Sequence, residues 1–204
     1  MTDSLEILAA RHGETTWNRD RRIQGHKDAP LSDVGREQAR DLAERLAHMH
    51  LDAAISSDLS RARETATLAL GSRPLELTFD AGFRERGFGA LEGLTWRDAR
   101  QQYPERSDPR LGKLLDSKLG VEDYDGAFSA RVLASVEQLP RRFPAARSVL
   151  LVTHGGVIKL LLAHATRAKK TFIVSNCSLF RFRLEAGGRL RLDDRRSRAS
   201  EAQA

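Results

Sequence analysis

SVLLVTHGG, at residues 148–156, carries the strongest structural signal in this chain. Its first six residues, rich in valine and leucine, are typical of a short strand that is buried on both faces. Two glycines follow, and beyond them Val157, Leu160 and Leu161 recur at the spacing of one helix face. A buried strand that leads directly into a helix is the building unit of a parallel α/β sheet.

Similar units lie nearer the N-terminus. The apolar run Leu5–Ala10 predicts a strand, and Ser32 is placed to cap an amphipathic helix. The segment 52–56 predicts a second strand, and 75–79 is a candidate third strand. Strands that alternate with amphipathic helices predict an α/β fold with a mostly parallel central sheet, flanked by helices on both faces.

The other segments are interpreted as additions to a single domain that spans residues 1–204. Residues from about 88 to 146 are more polar and helical, with a turn signal at Asp108-Pro109, and this pattern is typical of a helical cap insertion beside the sheet. Gly187-Gly188 lies between two apolar runs and predicts a hairpin at a sheet edge. From about residue 193 the chain is polar, which predicts a frayed tail.

Composition narrows the class of protein. The chain has 204 residues, of which 40% are hydrophobic and 30% charged, and its formal net charge is +6. These values are typical of a globular domain and exclude a disordered chain. The longest aliphatic runs fall far short of the roughly 20 residues that span a bilayer, so no membrane partner is expected. The single cysteine, Cys177, and the lack of a secretory pattern predict a cytoplasmic location.

Arginine and histidine side chains follow the predicted strands at the points where those strands end. Arg11 and His12 follow the first strand, Arg61 and Arg63 lie just beyond the second, and His154 follows the late one. Ligands of open α/β sheets bind at the carboxyl ends of strands, so these side chains are expected to converge on one crevice. Two guanidinium groups can bind the oxygens of a phosphate monoester and balance about two negative charges.

Such a site is suited to phosphoryl transfer. One neutral imidazole can attack phosphorus, while the other, protonated, stabilises the equatorial oxygens. A carboxylic acid must then protonate the leaving oxygen and later take a proton from water. Glycines at positions 13, 155 and 156 would let the backbone approach the anion closely.

Ordered motifs along the whole chain resemble those of the histidine phosphatase superfamily, which includes the cofactor-dependent phosphoglycerate mutases. In order, they are Arg11-His12-Gly13-Glu14-Thr15, Trp17-Asn18, Gln24-Gly25, Pro30-Leu31-Ser32, Gly35, Gln38-Ala39, Ser56-Ser57-Asp58-Leu59-Ser60-Arg61-Ala62, Arg63-Glu64-Thr65-Ala66, Glu85–Gly93 and Val152-Thr153-His154-Gly155-Gly156. Each motif alone is weak, but the ordered set is specific. The resemblance implies a phosphoglycerate mutase-like fold.

The resemblance also implies a role for each matched residue. His12 would be the nucleophile that becomes a phosphohistidine, and Glu85 would be the proton donor and acceptor. Arg11, Arg63 and His154 would hold the transferring phosphoryl group. The substrate-binding residues would be Asn18, Gln24, Gly25 and Gly155. Neither a metal nor a cofactor is expected, since positive side chains take the place of the metal.

The residues around Glu85 favour a phosphatase over a mutase. Where the mutases typically carry a tyrosine and a substrate-binding lysine, this chain has Phe88 and Trp96, and the Gly-Trp of mutases reads Gly25-His26. Broad-specificity phosphatases often have tryptophan at the position of Leu91, which is a departure in the other direction. We expect a metal-independent phosphomonoester hydrolase of the histidine acid phosphatase type, acting on a small phosphorylated metabolite. A phosphoglycerate mutase-type isomerase is the alternative.

Other interpretations stay open at this stage. A phosphate- or phosphopeptide-binding module would use the same arginine and histidine side chains to bind phosphate, but would not catalyse turnover. The cluster Arg195-Arg196-Ser197-Arg198 lacks interleaved aromatics, which favours a solvated tail, so no nucleic-acid partner is expected. Arg61 is expected to face solvent or to support the site indirectly, and a surface ion pair with Arg84 or Arg86 is the alternative for Glu85. Besides the phosphorylated substrate, a second copy of the chain in a homodimer is an optional partner.

Overall fold

A computed structural model of the chain describes residues 4–107, 116–167 and 172–193. The predicted turn at Asp108-Pro109 and the basic tail at residues 195–198 lie outside these residues. Within the described ranges, no helix has both the length and the apolar character needed to cross a membrane.

The described elements follow the predicted alternation of strands and helices. In chain order they are β1 (Ser4–Arg11), α1 (Thr16–Arg19), α2 (Asp33–Leu46), β2 (Ala53–Ser56), α3 (Ser60–Leu70), β3 (Leu77–Phe79), α4 (Trp96–Gln102), α5 (Ser129–Arg142), β4 (Ser148–Thr153), α6 (Gly155–Thr166), β5 (Leu179–Glu185) and β6 (Leu190–Leu192). Ser32 caps α2 as predicted, since its hydroxyl accepts a hydrogen bond from the N–H of Gly35 at 3.0 Å.

The strands form one sheet in the order β3-β2-β4-β1-β5-β6. β4 runs parallel to β1 and β2, and β2 runs parallel to β3, whereas β5 is antiparallel to β1 and β6. The predictions of a mostly parallel sheet and of a hairpin at its edge are therefore confirmed. β1 lies directly beside β4, with Arg11 opposite Thr153, so these two strands end side by side.

Helices cover both faces of the sheet. Along β1, Ile7 and Ala9 face one side while Leu8 and Ala10 face the other, as the period of two in a strand requires. α5 and α6 pack on the first face, and α2 and α3 pack on the second. All four β1 side chains are at most 1% exposed, and burying a leucine or isoleucine contributes about 1.5–3 kcal/mol.

A smaller apolar cluster forms the cap beside this core. Ile23, Leu91 and Val121 are buried against one another, apart from the clusters on the sheet. The predicted end of the cap, at about residue 146, is too late. α5 belongs to the sheet because Val132 and Val136, four residues apart and hence on one helix face, are buried in the main core.

Candidate active site

Backbone contacts fix the loop after β1 at the carboxyl edge of the sheet. The N–H of His12 donates to the carbonyl of Thr153 at 2.9 Å, and its carbonyl accepts from the side-chain amide of Asn176 at 3.0 Å. The N–H of Gly13 donates to the hydroxyl of Thr65 on α3 at 3.0 Å. Three different parts of the chain therefore hold His12 in place.

The two histidines meet at this edge. The ring centroids of His12 and His154 are 5.2 Å apart, and the residues are 3% and 0% exposed. Both follow neighbouring parallel strands, so their proximity is a direct consequence of the sheet order.

His12 is in the form that a nucleophile requires. Its Nδ1 lies 2.7 Å from the carbonyl oxygen of Gly13. A carbonyl can only accept a hydrogen bond, so Nδ1 carries the proton and Nε2 keeps its lone pair. Burial lowers the pKa of His12 well below its ordinary value, and the positive charges of Arg61 and Arg11 lower it further. His12 is therefore a neutral imidazole at neutral pH.

His154 is anchored from the opposite side. Its Nε2 lies 2.8 Å from the hydroxyl oxygen of Ser57, which also accepts from the N–H of Leu59 at 3.3 Å. The Ser57 hydroxyl can therefore donate to Nε2, and a neutral ring that accepts this bond carries its proton on Nδ1. That Nδ1 is buried and has no partner among the described residues.

The charge state of His154 differs from the sequence prediction of a protonated imidazole. Burial lowers the pKa of His154 well below its ordinary value, and the charge of Arg61 lowers it further. A neutral imidazole with its proton on Nδ1 can still donate a hydrogen bond to a phosphoryl oxygen. A phosphate dianion beside it would favour uptake of the second proton.

Neutral His12 gives a prediction that can be tested without an activity assay. Since burial lowers its pKa, His12 should become protonated at a lower pH than the same residue in the unfolded chain. Imidazole nitrogen shifts, measured by NMR and assigned with His12→Gln, should be those of the neutral Nδ1–H tautomer at neutral pH and should change only at a lower pH than in the unfolded protein. The same protein unfolded in denaturant is the control. A folded-state titration that matches the unfolded one would contradict the assignment.

Two arginines form the floor of the site. Arg11 donates through Nη1 to the carbonyl of Val174 at 2.7 Å, and Arg61 donates to the carbonyls of Gly25 at 2.7 Å and Lys27 at 3.0 Å. Arg61 is only 1% exposed. Burial lowers the pKa of Arg61 to about 10 and also lowers the pKa of Arg11. Both guanidinium groups are thus cations held in a poorly solvated place.

Arg63 lies outside the site, so its predicted place in the phosphate cradle is wrong. It is exposed, and its guanidinium carbon sits 4.3 Å from the ring centroid of Phe79. Arg61, which was expected to face solvent or to act indirectly, takes the place predicted for Arg63. The physical reason is helix geometry: residues two apart on α3 face different directions, and Arg61 shares its face with buried Thr65.

Glu85 lies on the loop after β3. Its carboxylate accepts hydrogen bonds from the N–H of Arg86 at 2.8 Å and from the N–H of Gly156, in the first turn of α6, at 3.0 Å. A Cβ at position 156 would collide with this carboxylate, so glycine there lets Glu85 keep its place against the N–H of residue 156. The surface ion pair considered for Glu85 is not formed by Arg84, because Arg84 pairs with both oxygens of Asp58 at 2.7 and 2.6 Å.

A pocket of about 350 Å³ joins these groups. The side chains or backbone that line it are those of Arg11, His12, Asn18, Arg22, Ile23, Gln24, Gly25, Arg61, Glu85, Arg86, Phe88, Trp96, Tyr124, Gly155, Gly156, Lys159 and Val174. All four predicted substrate-binding residues are among them. Asn18 is held in place by reciprocal hydrogen bonds with Thr15, which caps α1.

Several lining residues were missed by the sequence analysis. Lys159 lies four residues after Gly155 on α6, and this spacing places both on one helix face, so a signal for it was present. Arg22, Arg86 and Tyr124 lie on loops or at a helix start, where side-chain direction has no sequence period.

A larger groove of about 950 Å³ lies elsewhere on the protein, lined by residues that include Glu6, Arg181 and Arg191. Its charges are largely paired, since Arg191 contacts Glu185 at 2.8 Å and Arg181 contacts Glu6. None of the predicted site residues lines it, so the pocket at the strand ends is the candidate active site.

Several buried polar atoms without a partner lie in or beside that pocket. Among the described residues, Nε of Arg11, Nε of Arg61 and Oε1 of Gln24 belong to side chains that line it, and Nδ1 of His154 belongs to the ring beside His12. The two arginine Nε atoms are N–H donors, as is Nδ1 of His154 in the tautomer that accepts from Ser57, and each buried donor without an acceptor costs roughly 1–3 kcal/mol. A compact ligand with several acceptor oxygens would satisfy them.

The fold and the site together define a class: α/β proteins that bind a phosphoryl group with paired histidines and arginines at the carboxyl edge of a mostly parallel sheet. The chain belongs to the histidine phosphatase superfamily (branch 1), whose family model matches residues 7–193.

Comparisons with individual proteins agree with this assignment. Over 190 residues the chain is 37% identical to phosphoglycerate mutase-like protein 4 of Arabidopsis thaliana, covering 91% of this chain and 82% of the relative. It is 35% identical to a metal-independent phosphoserine phosphatase of the same plant, covering 87% and 76%. A crystal structure of phosphoglycerate mutase from Bacillus anthracis superimposes with a TM-score of 0.83 at 27% identity, covering 94% and 92%. The expected phosphoglycerate mutase-like fold is therefore confirmed.

Proposed function

We propose that this protein is a phosphomonoester hydrolase that works through a phosphohistidine at His12 and needs no metal ion. The observation that supports this best is the pair of buried N–H donors that have no acceptor among the described residues, Nε of Arg11 and Nε of Arg61, in the same pocket as neutral His12. The ring of His154 lies beside this pocket, 5.2 Å from the ring of His12. A phosphoryl group supplies the matching acceptor oxygens, and the two guanidinium charges balance its charge of about −2. Belonging to the histidine phosphatase superfamily also supports the proposal.

Formation of the phosphoenzyme uses two groups in concert. The Nε2 lone pair of His12 forms a bond to phosphorus as the P–O bond to the leaving alcohol breaks. Protonated Glu85 gives its proton to the departing oxygen, so the alcohol leaves neutral. Arg11 and Arg61 stabilise the charge on the non-bridging oxygens.

Hydrolysis of the phosphoenzyme returns the site to its starting state. The Glu85 carboxylate takes a proton from water, and the water oxygen forms a bond to phosphorus while the P–N bond breaks. The bonding electrons return to Nε2 of His12, and inorganic phosphate is released. Glu85 ends protonated, ready for the next substrate.

The rim of the pocket favours a small substrate whose leaving alcohol carries its own acidic group. Arg22, Arg86 and Lys159 line the pocket, whereas Glu85 is the one carboxylate in its lining among the residues that the structure describes. A single phosphoryl group on Arg11 and Arg61 would leave these three cations available to a second anionic group of the substrate. The volume of about 350 Å³ is suited to a small metabolite. One relative is named for phosphoserine, a phosphoester that also carries a carboxylate.

A mutase is the second candidate, because the chain is also similar to proteins named as phosphoglycerate mutases. A mutase would return the phosphoryl group to a second hydroxyl of the substrate instead of passing it to water. The same His12 chemistry serves both reactions, so the product distinguishes them.

The test is release of inorganic phosphate from a panel of phosphomonoesters in the presence of EDTA. Acidic phosphoesters, with a carboxylate or second phosphate, are expected to be hydrolysed with a higher kcat/KM than neutral sugar or alkyl phosphates. Loss of activity with EDTA and recovery with a divalent cation would contradict the proposal that the phosphoryl group is bound without a metal ion. Transfer of phosphate between positions of a phosphoglycerate, faster than its release, would favour the mutase.

The compartment is a separate proposal. We infer a cytoplasmic location because Cys177 is buried and free, which is compatible with a reducing environment.

A further inference from the structure

An ion pair outside the pocket holds the loop that carries Glu85. Arg131 on α5 donates from Nε to one oxygen of Glu122 at 3.0 Å and from Nη2 to the other at 2.8 Å. These side chains are 23% and 17% exposed, and neither lines the pocket. We call this pair the Arg131–Glu122 clamp.

Arg131 holds the backbone up to and including Glu85. Its Nη1 donates to the carbonyls of Gly82 at 2.8 Å, Arg84 at 3.1 Å and Ala81 at 3.3 Å, and its Nη2 reaches the carbonyl of Glu85 at 3.3 Å. Only arginine offers five donors in one plane. A single side chain therefore contacts four backbone carbonyls within the five residues 81–85.

Glu122 holds the backbone on the other side of Glu85. Its Oε2 accepts from the N–H of Gly87 at 3.0 Å, and its carbonyl accepts from Nε of Arg86 at 2.7 Å. Burial raises the pKa of Glu122, but the hydrogen bonds from Arg131 and Gly87 outweigh it, and the pKa lies below its ordinary value. The carboxylate thus stays ionised and able to accept.

We propose that Arg131 and Glu122 are positioning residues that aim the Glu85 carboxyl at the leaving oxygen of the substrate. This inference rests on the proposed function, in which Glu85 is the general acid. The carboxyl is bonded to the N–H groups of Arg86 and Gly156, so its place depends on where the loop backbone lies. A general acid must come within about 2.6–3.2 Å of its target, so a small shift of the loop removes proton transfer and leaves the attack by His12 intact.

The leaving group separates positioning of the acid from a general structural role. An alkyl phosphate needs a proton on its departing oxygen, whereas the nitrophenolate of para-nitrophenyl phosphate departs without one. Arg131→Gln is expected to lower kcat/KM roughly 10- to 100-fold for the alkyl phosphate and to change it little for the aryl phosphate. The double variant with Glu85→Gln should be no slower on the alkyl phosphate than Glu85→Gln alone, because both changes remove the same proton transfer.

Arg142→Gln is the matched control. Arg142 also lies on α5 and contacts Asp80 at 3.0 Å and the carbonyl of Phe79 at 3.1 Å, before the segment that the clamp holds. It should leave kcat/KM unchanged for both substrates. Equal losses for both substrates in Arg131→Gln, or losses that add to those of Glu85→Gln, would overturn the proposal.

Two further results keep the test decisive. If thermal unfolding shows that Arg131→Gln does not fold, Glu122→Gln replaces it, since the amide oxygen still accepts from Gly87; the same dependence on the leaving group is expected, and its absence refutes the clamp. A Glu85→Gln variant that slows both substrates equally would instead refute Glu85 as the acid, which is a failure of the proposed function.

Discussion

Replacing His12 by alanine is expected to abolish phosphate release while the fold persists. The Nε2 lone pair is the only group proposed to form a bond to phosphorus, and loss of a nucleophile lowers turnover by on the order of 10⁴-fold or more. The backbone contacts of His12, to Thr153 and Asn176, do not involve its ring. The hydrogen bond of the ring is to the carbonyl of the next residue, Gly13, so its removal breaks no side-chain hydrogen bond between distant parts of the described chain.

The measurement combines turnover with detection of the intermediate. Intact protein, quenched during turnover and weighed by mass spectrometry, should carry an acid-labile phosphoryl group in the wild type and none in His12→Ala. His48→Ala is the matched control, because His48 is exposed and lies outside the pocket. Near-normal hydrolysis by folded His12→Ala, or an adduct that persists in it, would remove the phosphohistidine mechanism.

The sheet and the meeting of the two histidines could be predicted because both depend on short-range patterns. The apolar run at 148–153 is too short for a typical helix and is flanked by a glycine pair, which leaves a buried strand as the interpretation. Parallel strands end at the same edge, so His12 and His154 were expected together. The 5.2 Å between their rings is the result of β1 pairing with β4.

The end of the cap depends on which surface a helix meets, and the local sequence does not contain that information. Residues 129–142 are amphipathic, and such a stripe would suit a cap as well as a sheet. The deciding partners are distant in sequence: Leu5 and Ile7 on β1 and Leu161 on α6 share the cluster with Val132.

The charge state of His154 also depends on contacts between residues that are distant in sequence. Histidine beside a phosphate is expected to be protonated, but burial and a nearby guanidinium favour the neutral ring. Burial of His154 follows from tertiary packing around Ser57, and the sequence shows only a histidine at a strand end.

Arg61 and Arg63 show most clearly what the sequence cannot predict. Both belong to one motif, and only the tertiary structure shows which of them lies in the site. Burying a guanidinium is costly unless carbonyls or anions satisfy it. The carbonyls of Gly25 and Lys27 that accept from Arg61 lie 36 and 34 residues earlier in the chain. The sequence around residue 61 therefore does not predict these two acceptors.

Arg61→Gln is therefore expected to lower kcat/KM roughly 10²- to 10³-fold, the usual cost of losing one preorganised donor at a developing charge. Arg63→Gln, two residues away on α3, should leave kcat/KM unchanged, since that side chain lies over Phe79. Arg61→Lys keeps the charge but loses the planar fork that holds Gly25 and Lys27, so an intermediate loss is expected. A larger loss of kcat/KM in Arg63→Gln than in Arg61→Gln would show that Arg63, and not Arg61, binds the phosphoryl group.

Thermal stabilisation by phosphate tests the difference between Arg61 and Arg63 without an activity assay. Inorganic phosphate that binds only the folded protein raises its Tm, by an amount set by the affinity. The Nε donor of Arg61 has no partner among the described residues, so phosphate should raise the Tm of the wild type and of Arg63→Gln equally. In Arg61→Gln the rise should be markedly smaller at the same phosphate concentration. An equal rise in all three proteins would show that the buried guanidinium of Arg61 does not bind the anion, and phosphate binding would then depend on Arg11 and His154.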